Sequence, residues 1–389
     1  MSDLLVRNIG TLLSGDLDQP TIDADAVVCV DGVISAVGRE AEVPVPEGEV
    51  EVVNARGATV APGLIDSHCH VVLGDYTPRQ KTVDFLESYV HGGITSVISP
   101  GEIHAPGRPH EALGVVGLAI AARSCFANHS PGGMRVHAGS VVLEPSLERR
   151  HFALLQEAGV RLAKFGFGDY ADPMDGVEQV RLAQEHGIVV MCHSGGASVP
   201  GSQPITTDHL LALAPDVCGH INGGPTSLPD RGVLQIMEET RMAMQIVQAG
   251  NLSSSLRILR EAGRRGALDR IVIGSDTPTG TGVMPLGMLK TVAELSSLGE
   301  LDPAVVWALA SGNCADVWSV PGGRVVVGAV ADLVVLDAPW GSQAEEALGA
   351  LAIGDVPGIS AVICAGRVRV GRSRNTPAAT RQVEVVTWN

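Results

Sequence analysis

GLIDSHCH, residues 63–70, is a short apolar run that closes on two histidines one residue apart. Side chains alternate along an extended chain, so His68 and His70 point one way and Cys69 the other, and one strand end offers two imidazoles to one cavity. Four further apolar, β-branched runs also end on residues with chemistry: GVRLAK (159–164), IVVMCH (188–193), DVCGH (216–220) and RIVIGSD (270–276). From His70 to Lys164 is 94 residues, then 29 to His193, 27 to His220 and 56 to Asp276. A (β/α)8 barrel spends about 250 residues on eight units, roughly 31 each. The intervals correspond to three units, one, one and two. The spacing therefore predicts a TIM-like barrel whose strands 1, 4, 5, 6 and 8 carry these residues on the C-terminal rim, where barrel chemistry sits.

Working outward, residues 63–318 alternate apolar strands with amphipathic helices at 81–90, 149–157, 176–185 and 256–265, the signature of a parallel sheet with helices outside. Residues 1–62 read instead as short strands at 4–8, 26–30, 33–37, 50–53 and 58–60, with a hairpin at Asp31 and Gly32. After residue 318 strands return at 331–336, 359–365 and 368–370 around a helix at 343–351. The fold class expected is α/β, with a barrel over 63–318 and one β-rich domain built from 1–62 and 319–389.

Hydrophobic residues make up 45% of the 389 and aromatics only 3%, so the core must be Val, Leu, Ile and Ala, the residues that fill barrel layers. A net charge of −16 opposes binding to nucleic acid or anionic lipid. The seven cysteines are scattered with no Cys-x-x-Cys pair, which argues against a disulfide framework and for a reducing compartment. With no signal-like start and no apolar run of about 18 residues, a cytoplasmic, soluble protein without membrane partners is expected.

Four histidines and a carboxylate on one rim are ligands for two divalent cations, zinc ahead of iron or manganese. His68, His70 and Asp276 would hold one ion, His193 and His220 the other. Such a pair activates water near neutral pH and polarises a carbonyl. A bridging anion is still required, and an ammonium is a donor-only cation. Burial beside cations would favour the neutral amine of Lys164, which can take up carbon dioxide as a carbamate, a carboxylate in function. Asp276 is the candidate general acid and base. Glycine-rich loops at 194–202, 222–225 and 277–282 are expected to line the mouth, with Asn222 among the substrate contacts. The other eight histidines lack the spacing and read as surface or structural.

The run APGLIDSHCH (61–70), the later Lys164, His193, His220 and Asp276, and GAVADLVVLD (328–337) together resemble the amidohydrolase superfamily over almost the whole chain. The resemblance implies a distorted (β/α)8 barrel, a small β-sandwich from both termini, a binuclear metal site that hydrolyses amide or ester bonds, and a homo-oligomer. Longer blocks, GDYTPRQK (74–81), HSGGASVPGS (193–202), HINGGPT (220–226) and SRNTP (373–377), resemble its enamidase branch. That branch implies opening of a carboxylated cyclic enamide, 6-oxo-1,4,5,6-tetrahydronicotinate, to 2-formylglutarate and ammonia. It also leads one to expect a glutamate at the strand-4 bridging position, where this chain has Lys164. Arg79, with Tyr76 and Lys81, would receive the substrate carboxylate. The alternatives are another cyclic-amide hydrolase of the hydantoinase, dihydroorotase or imidazolonepropionase type, then a deaminase, a decarboxylase or a non-enzymatic relative.

Overall fold

The computed structural model describes residues 3–71, 85–105, 107–199, 201–223, 227–278 and 282–388. Its centre is a parallel arrangement in two arcs. One arc pairs Leu64–Asp66 (strand 1) with Ile94–Ile98 (strand 2) and that with Arg135–His137 (strand 3). The other begins with Val141–Val142, where strand 3 resumes. It continues through Leu162–Phe165 (strand 4), Val189–Cys192 (strand 5), Val217–Cys218 (strand 6), Ala243–Val247 (strand 7) and Ile271–Gly274 (strand 8). Strand 8 returns to strand 1: Ser67 N donates to the Ile273 carbonyl (3.3 Å), Asp276 N to that of His68 (2.7 Å) and His70 N to that of Thr277 (2.8 Å). The architecture is TIM-barrel-like. Lys164 lies on strand 4, and His193, His220 and Asp276 follow the ends of strands 5, 6 and 8.

These strands read as nearly unbroken apolar runs because both faces are covered. Ile65, Leu162, Met191, Val217 and Val272 point inward and form a layer closed below by Cys314, Ala315 and Trp318. With a period of two, the next inward positions on strands 4, 5 and 7 are Lys164, His193 and Gln245. The helices outside follow from their own signals. Asn251 accepts from Ser254 N (2.9 Å) and caps Leu252–Arg265, which ends on Arg264, Arg265 and a left-handed Gly266. Its buried face is Ser255, Ile258, Leu259 and Ala262, at helical spacing.

The two ends of the chain form two further sheets. One runs Glu384–Trp388, Val50–Asn54, Asp3–Arg7, Ala26–Val30, Val33–Gly38. The other runs Arg367–Val370, Gly358–Cys364, Leu333–Asp337, Thr59–Pro62, Thr11–Leu13, Thr21–Ile22. Leu4, Val6, Val27 and Val53 of the first share one hydrophobic cluster with Val60, Leu333, Val335 and Ile363 of the second. Asp332 ties this part to strand 3: buried, it pairs with Arg135 and accepts from Ala365 N (2.8 Å). Among the described residues, no helix is long and apolar enough to cross a membrane.

Candidate metal centre

Strand 1 delivers His68 and His70 to one carboxylate: His70 Nε2 lies 2.8 Å, and His68 Nε2 3.3 Å, from Asp276 Oδ1. The ligating atoms of these three residues all fall within 4.8 Å of one another. Strands 5 and 6 supply a second pair, with His193 Nδ1 3.0 Å from His220 Nε2. The pairs are contiguous. Ring centroids step from His193 to His220 (4.6 Å), His220 to His68 (5.6 Å) and His68 to His70 (5.0 Å).

Backbone geometry makes this convergence possible. His220 (φ 37°) and Asp276 (φ 55°) both hold the left-handed conformation, at a cost on the order of 1–3 kcal/mol each for non-glycine residues. Two glycines clear the space. A Cβ on Gly166 (φ 109°) would stand 2.7 Å from His193 Cβ, and one on Gly274 2.9 Å from His68 Cβ. Beneath them Asp66, wholly buried and raised to about 7 by that burial, accepts from His68 N (3.1 Å) and Ser275 N (2.8 Å) and so locks strand 1 to strand 8.

The donor set fits metal ions. Gln245 on strand 7 donates from Nε2 to the Ser67 carbonyl (2.9 Å), so its Oε1 must face His68 Nδ1 (2.7 Å) and accept that proton. Neutral His68 then presents a bare Nε2 toward a carboxylate oxygen, two acceptors facing each other, an opposition that a cation between them resolves. Likewise His193 Nε2 donates to the Gly196 carbonyl (2.7 Å), leaving Nδ1 bare toward His220. Their 3.0 Å separation is close to the about 3.3 Å between two nitrogens on a tetrahedral zinc. Burial keeps His68, His193 and His220 neutral. It takes His68 down to about 3 and His193 to about 4, and with neighbouring His193 it holds His220 well below the ordinary value. Burial alone would raise Asp276, but positive charge placed among His68, His70 and His220, with the hydrogen bond from His70, more than offsets it and holds the carboxyl well below its usual range.

Lys164 is 1% exposed, its ammonium nitrogen 5.7 Å from the Phe167 ring centroid. Burial brings it down to about 8 against the opposing pull of Asp276, and its charge acts on His68, His193 and His220. An accessible neutral amine is the form that can add carbon dioxide.

Residues 59–369 match the family model described as the amidohydrolase family. The chain belongs to the amidohydrolase family. This amidohydrolase is 43% identical over 387 residues to the enamidase of Eubacterium barkeri, covering 99% of this chain and 100% of that one. A solved structure of enamidase superposes with a TM-score of 0.95 at 42% identity, covering 99% of this chain and 100% of that one. An adenine deaminase of Methylobacterium sp. (strain 4-46) is 24% identical over 373 residues, covering 90% of this chain and 60% of that protein. A D-hydantoinase from Thermus sp. shares the fold at 17% identity, with a TM-score of 0.63 over 97% of this chain and 99% of that one.

Two participants were not anticipated from sequence. Gln245 sits inside an apolar strand, and an amide carries no metal-ligand signal. His104 brings its ring centroid within 4.7 Å of that of His70. Its loop is pinned at Arg108, which pairs with the wholly buried Glu144 (2.7 Å); Glu144 also accepts from Asp169 N (2.7 Å) and meets His110 Nδ1 (3.0 Å). Asn222, expected at the substrate, is turned into the protein. It is wholly buried, its amide donates to the Val247 carbonyl (2.8 Å) and Ser255 Oγ (2.9 Å), and its oxygen accepts from Val247 N (2.9 Å). Tyr76, Arg79 and Lys81 lie outside the described residues. Gly195 and Gly196 border a cavity of about 380 Å³ just beyond His193, alongside Ile205 and Leu228.

Proposed function

We propose that this amidohydrolase opens a cyclic enamide, 6-oxo-1,4,5,6-tetrahydronicotinate, to 2-formylglutarate and ammonia. His68, His70 and Asp276 would hold one divalent cation and His193 and His220 the other, with Lys164, as its carbamate, supplying a further anionic ligand. The two cations, zinc ahead of iron or manganese, supply water activation and polarisation of the amide carbonyl when bound. The observation that carries this reading is the bare His68 Nε2, its tautomer set by Gln245, opposed to the Asp276 carboxylate that His70 Nε2 also meets.

Asp276 takes the proton of the attacking water and delivers it to the ring nitrogen as the carbon–nitrogen bond breaks. The ring carbonyl becomes a carboxylate, and the freed enamine tautomerises to an imine. A second water adds to the imine carbon, ammonia leaves and an aldehyde remains, so two waters enter for each ammonia released. Gln245 holds His68 through the cycle. Arg79, with Tyr76 and Lys81, receives the substrate carboxylate. The 43% identity to an enamidase along the whole chain supports the enamide over other cyclic amides. In this reading the two arcs of strands form one closed (β/α)8 barrel over residues 63–318, and residues 1–62 and 319–389 form a β-sandwich domain. The enzyme is a cytoplasmic homo-oligomer.

A panel of cyclic amides tests the substrate, with ammonia and aldehyde measured for metal-reconstituted protein supplied with bicarbonate. Both products from the tetrahydronicotinate are expected. Opening of a hydantoin, dihydroorotate or imidazolonepropionate with no turnover of the tetrahydronicotinate would keep the hydrolase and overturn the enamide assignment.

A further inference from the structure

The opposite end of the strands carries a second cavity. Trp318 closes the helix Gly312–Trp318, which sits beneath the inward layer of Ile65, Met191, Val217 and Val272. Asn313 holds that helix to the start of strand 8 through the carbonyls of Leu268 and Ile271 (2.9 Å each). Between Trp318 and the beginning of strand 4 lies a space of about 280 Å³ bordered by Arg123, His137, Arg161, Leu162 and Trp318. None of the residues lining it is acidic.

Its polar groups are unanswered. Trp318 Nε1 and His137 Nε2 are both buried with no hydrogen-bond partner. An indole N–H is a donor only, and a buried donor left unpaired is costly. Arg123 spends Nε on the Gly159 carbonyl (2.8 Å), which leaves the terminal nitrogens of its guanidinium. Their neighbour Arg135 is paired with Asp332, but neither Arg123 nor Arg161 has an acidic partner among the described residues. The chain has 43 acidic residues against 27 Lys and Arg, so acid is not in short supply. Burial, with Arg135 nearby, lowers His137 to about 4, leaving a neutral imidazole that can donate from Nε2.

We propose that this cavity binds a small oxyanion, a carboxylate or inorganic phosphate, whose oxygens accept from the guanidinium groups of Arg123 and Arg161 and from Trp318 Nε1. Only an acceptor-rich anion answers several donors at once, and guanidinium forks match carboxylate and phosphate in geometry. Ser319 and Pro321 line the same space, and Arg135 Nη2 donates to the Pro321 carbonyl (3.3 Å). A bound anion therefore braces the point where the helix Gly312–Trp318 hands over to the C-terminal strands.

The test is titration of the metal-loaded protein with sodium phosphate and, separately, with glutarate at ionic strength matched by sodium chloride, read by calorimetry and thermal unfolding. Saturable binding of one anion with a rise in Tm is expected, and the tighter of the two identifies the source. Arg161→Gln, at an exposed position, weakens it at least tenfold with turnover unchanged. Trp318→Phe, which keeps the ring and removes only the N–H, weakens it in the same direction. No saturable binding of either anion, or an affinity that survives Arg161→Gln, as binding at the metal centre would, overturns the proposal.

Discussion

Replacing Gln245 with methionine keeps side-chain length while removing both hydrogen-bonding ends. In the wild type Oε1 accepts from His68 Nδ1 (2.7 Å) and His220 N (3.2 Å), and Nε2 donates to the Ser67 carbonyl (2.9 Å). All three partner groups are left unpaired by Gln245→Met. A buried unpaired group costs about 1–3 kcal/mol. Because the three share one residue their costs do not simply add, and roughly 3–6 kcal/mol is expected. That is a large part of a total stability of about 5–15 kcal/mol. The second consequence is chemical. His68 is freed to move its proton to Nε2, and loss of such a supporting contact weakens metal affinity about 10–100-fold, or about 1.4–2.8 kcal/mol. Gln245→Glu separates the two effects: it retains the acceptor for His68 Nδ1 but cannot donate to Ser67, so stability falls while the tautomer stays. Dialysis against graded chelator, followed by metal analysis and thermal unfolding, reads both. If Gln245→Met retained metal as firmly as Gln245→Glu, the tautomer argument would be refuted.

Gly166→Ala drives a Cβ to 2.7 Å from that of His193 and asks alanine to hold φ 109°. Strain of about 1–3 kcal/mol is expected together with loss of one bound ion, seen by metal analysis; a two-ion protein would contradict it. Asp276→Asn keeps shape but not basicity, and kcat should fall about 10²–10⁴-fold at saturating substrate. Lys164→Ala should abolish turnover and recover part of it when short carboxylic acids are added, since these can replace a carbamate; no rescue by formate, acetate or propionate argues against the carbamate. Asp332→Ala leaves Arg135 without its buried partner and should cost about 3–5 kcal/mol in thermal unfolding, with kcat at 25 °C little changed.

The rim positions were legible because two periodicities coincide: alternation within a strand, and one unit every 31 residues or so along the chain. His68 and His70 follow from the first, and Lys164, His193, His220 and Asp276 from the second. Helix Arg149–Glu157 was readable at both ends from its amphipathic pattern. Helix Leu252–Arg265 starts earlier than the apolar pattern at 256 suggests, because Asn251 supplies the cap. The run 134–143 looks like one strand but is interrupted after His137, where Gly139 adopts φ 90°. The final strand, Glu384–Trp388, escapes the sequence reading because it lies against Val50–Asn54, more than 300 residues away in sequence. Gln245 and His104 were hidden for different reasons. A glutamine in the run AMQIV (243–247) has no ligand chemistry of its own, and a loop histidine carries no periodicity. Asn222 was misread because a polar residue next to glycines looks like a ligand contact, whereas here it holds strand 7 through Val247.

The most direct test of the account is stepwise metal addition to chelator-stripped protein in bicarbonate, with bound metal per chain and ammonia release measured on the same samples. Turnover that rises to a plateau at two ions per chain, and fails at that loading in Asp276→Asn, is the predicted result. Full turnover in the stripped protein, or a plateau at a single ion, would contradict a binuclear centre built from His68, His70, Lys164, His193, His220 and Asp276.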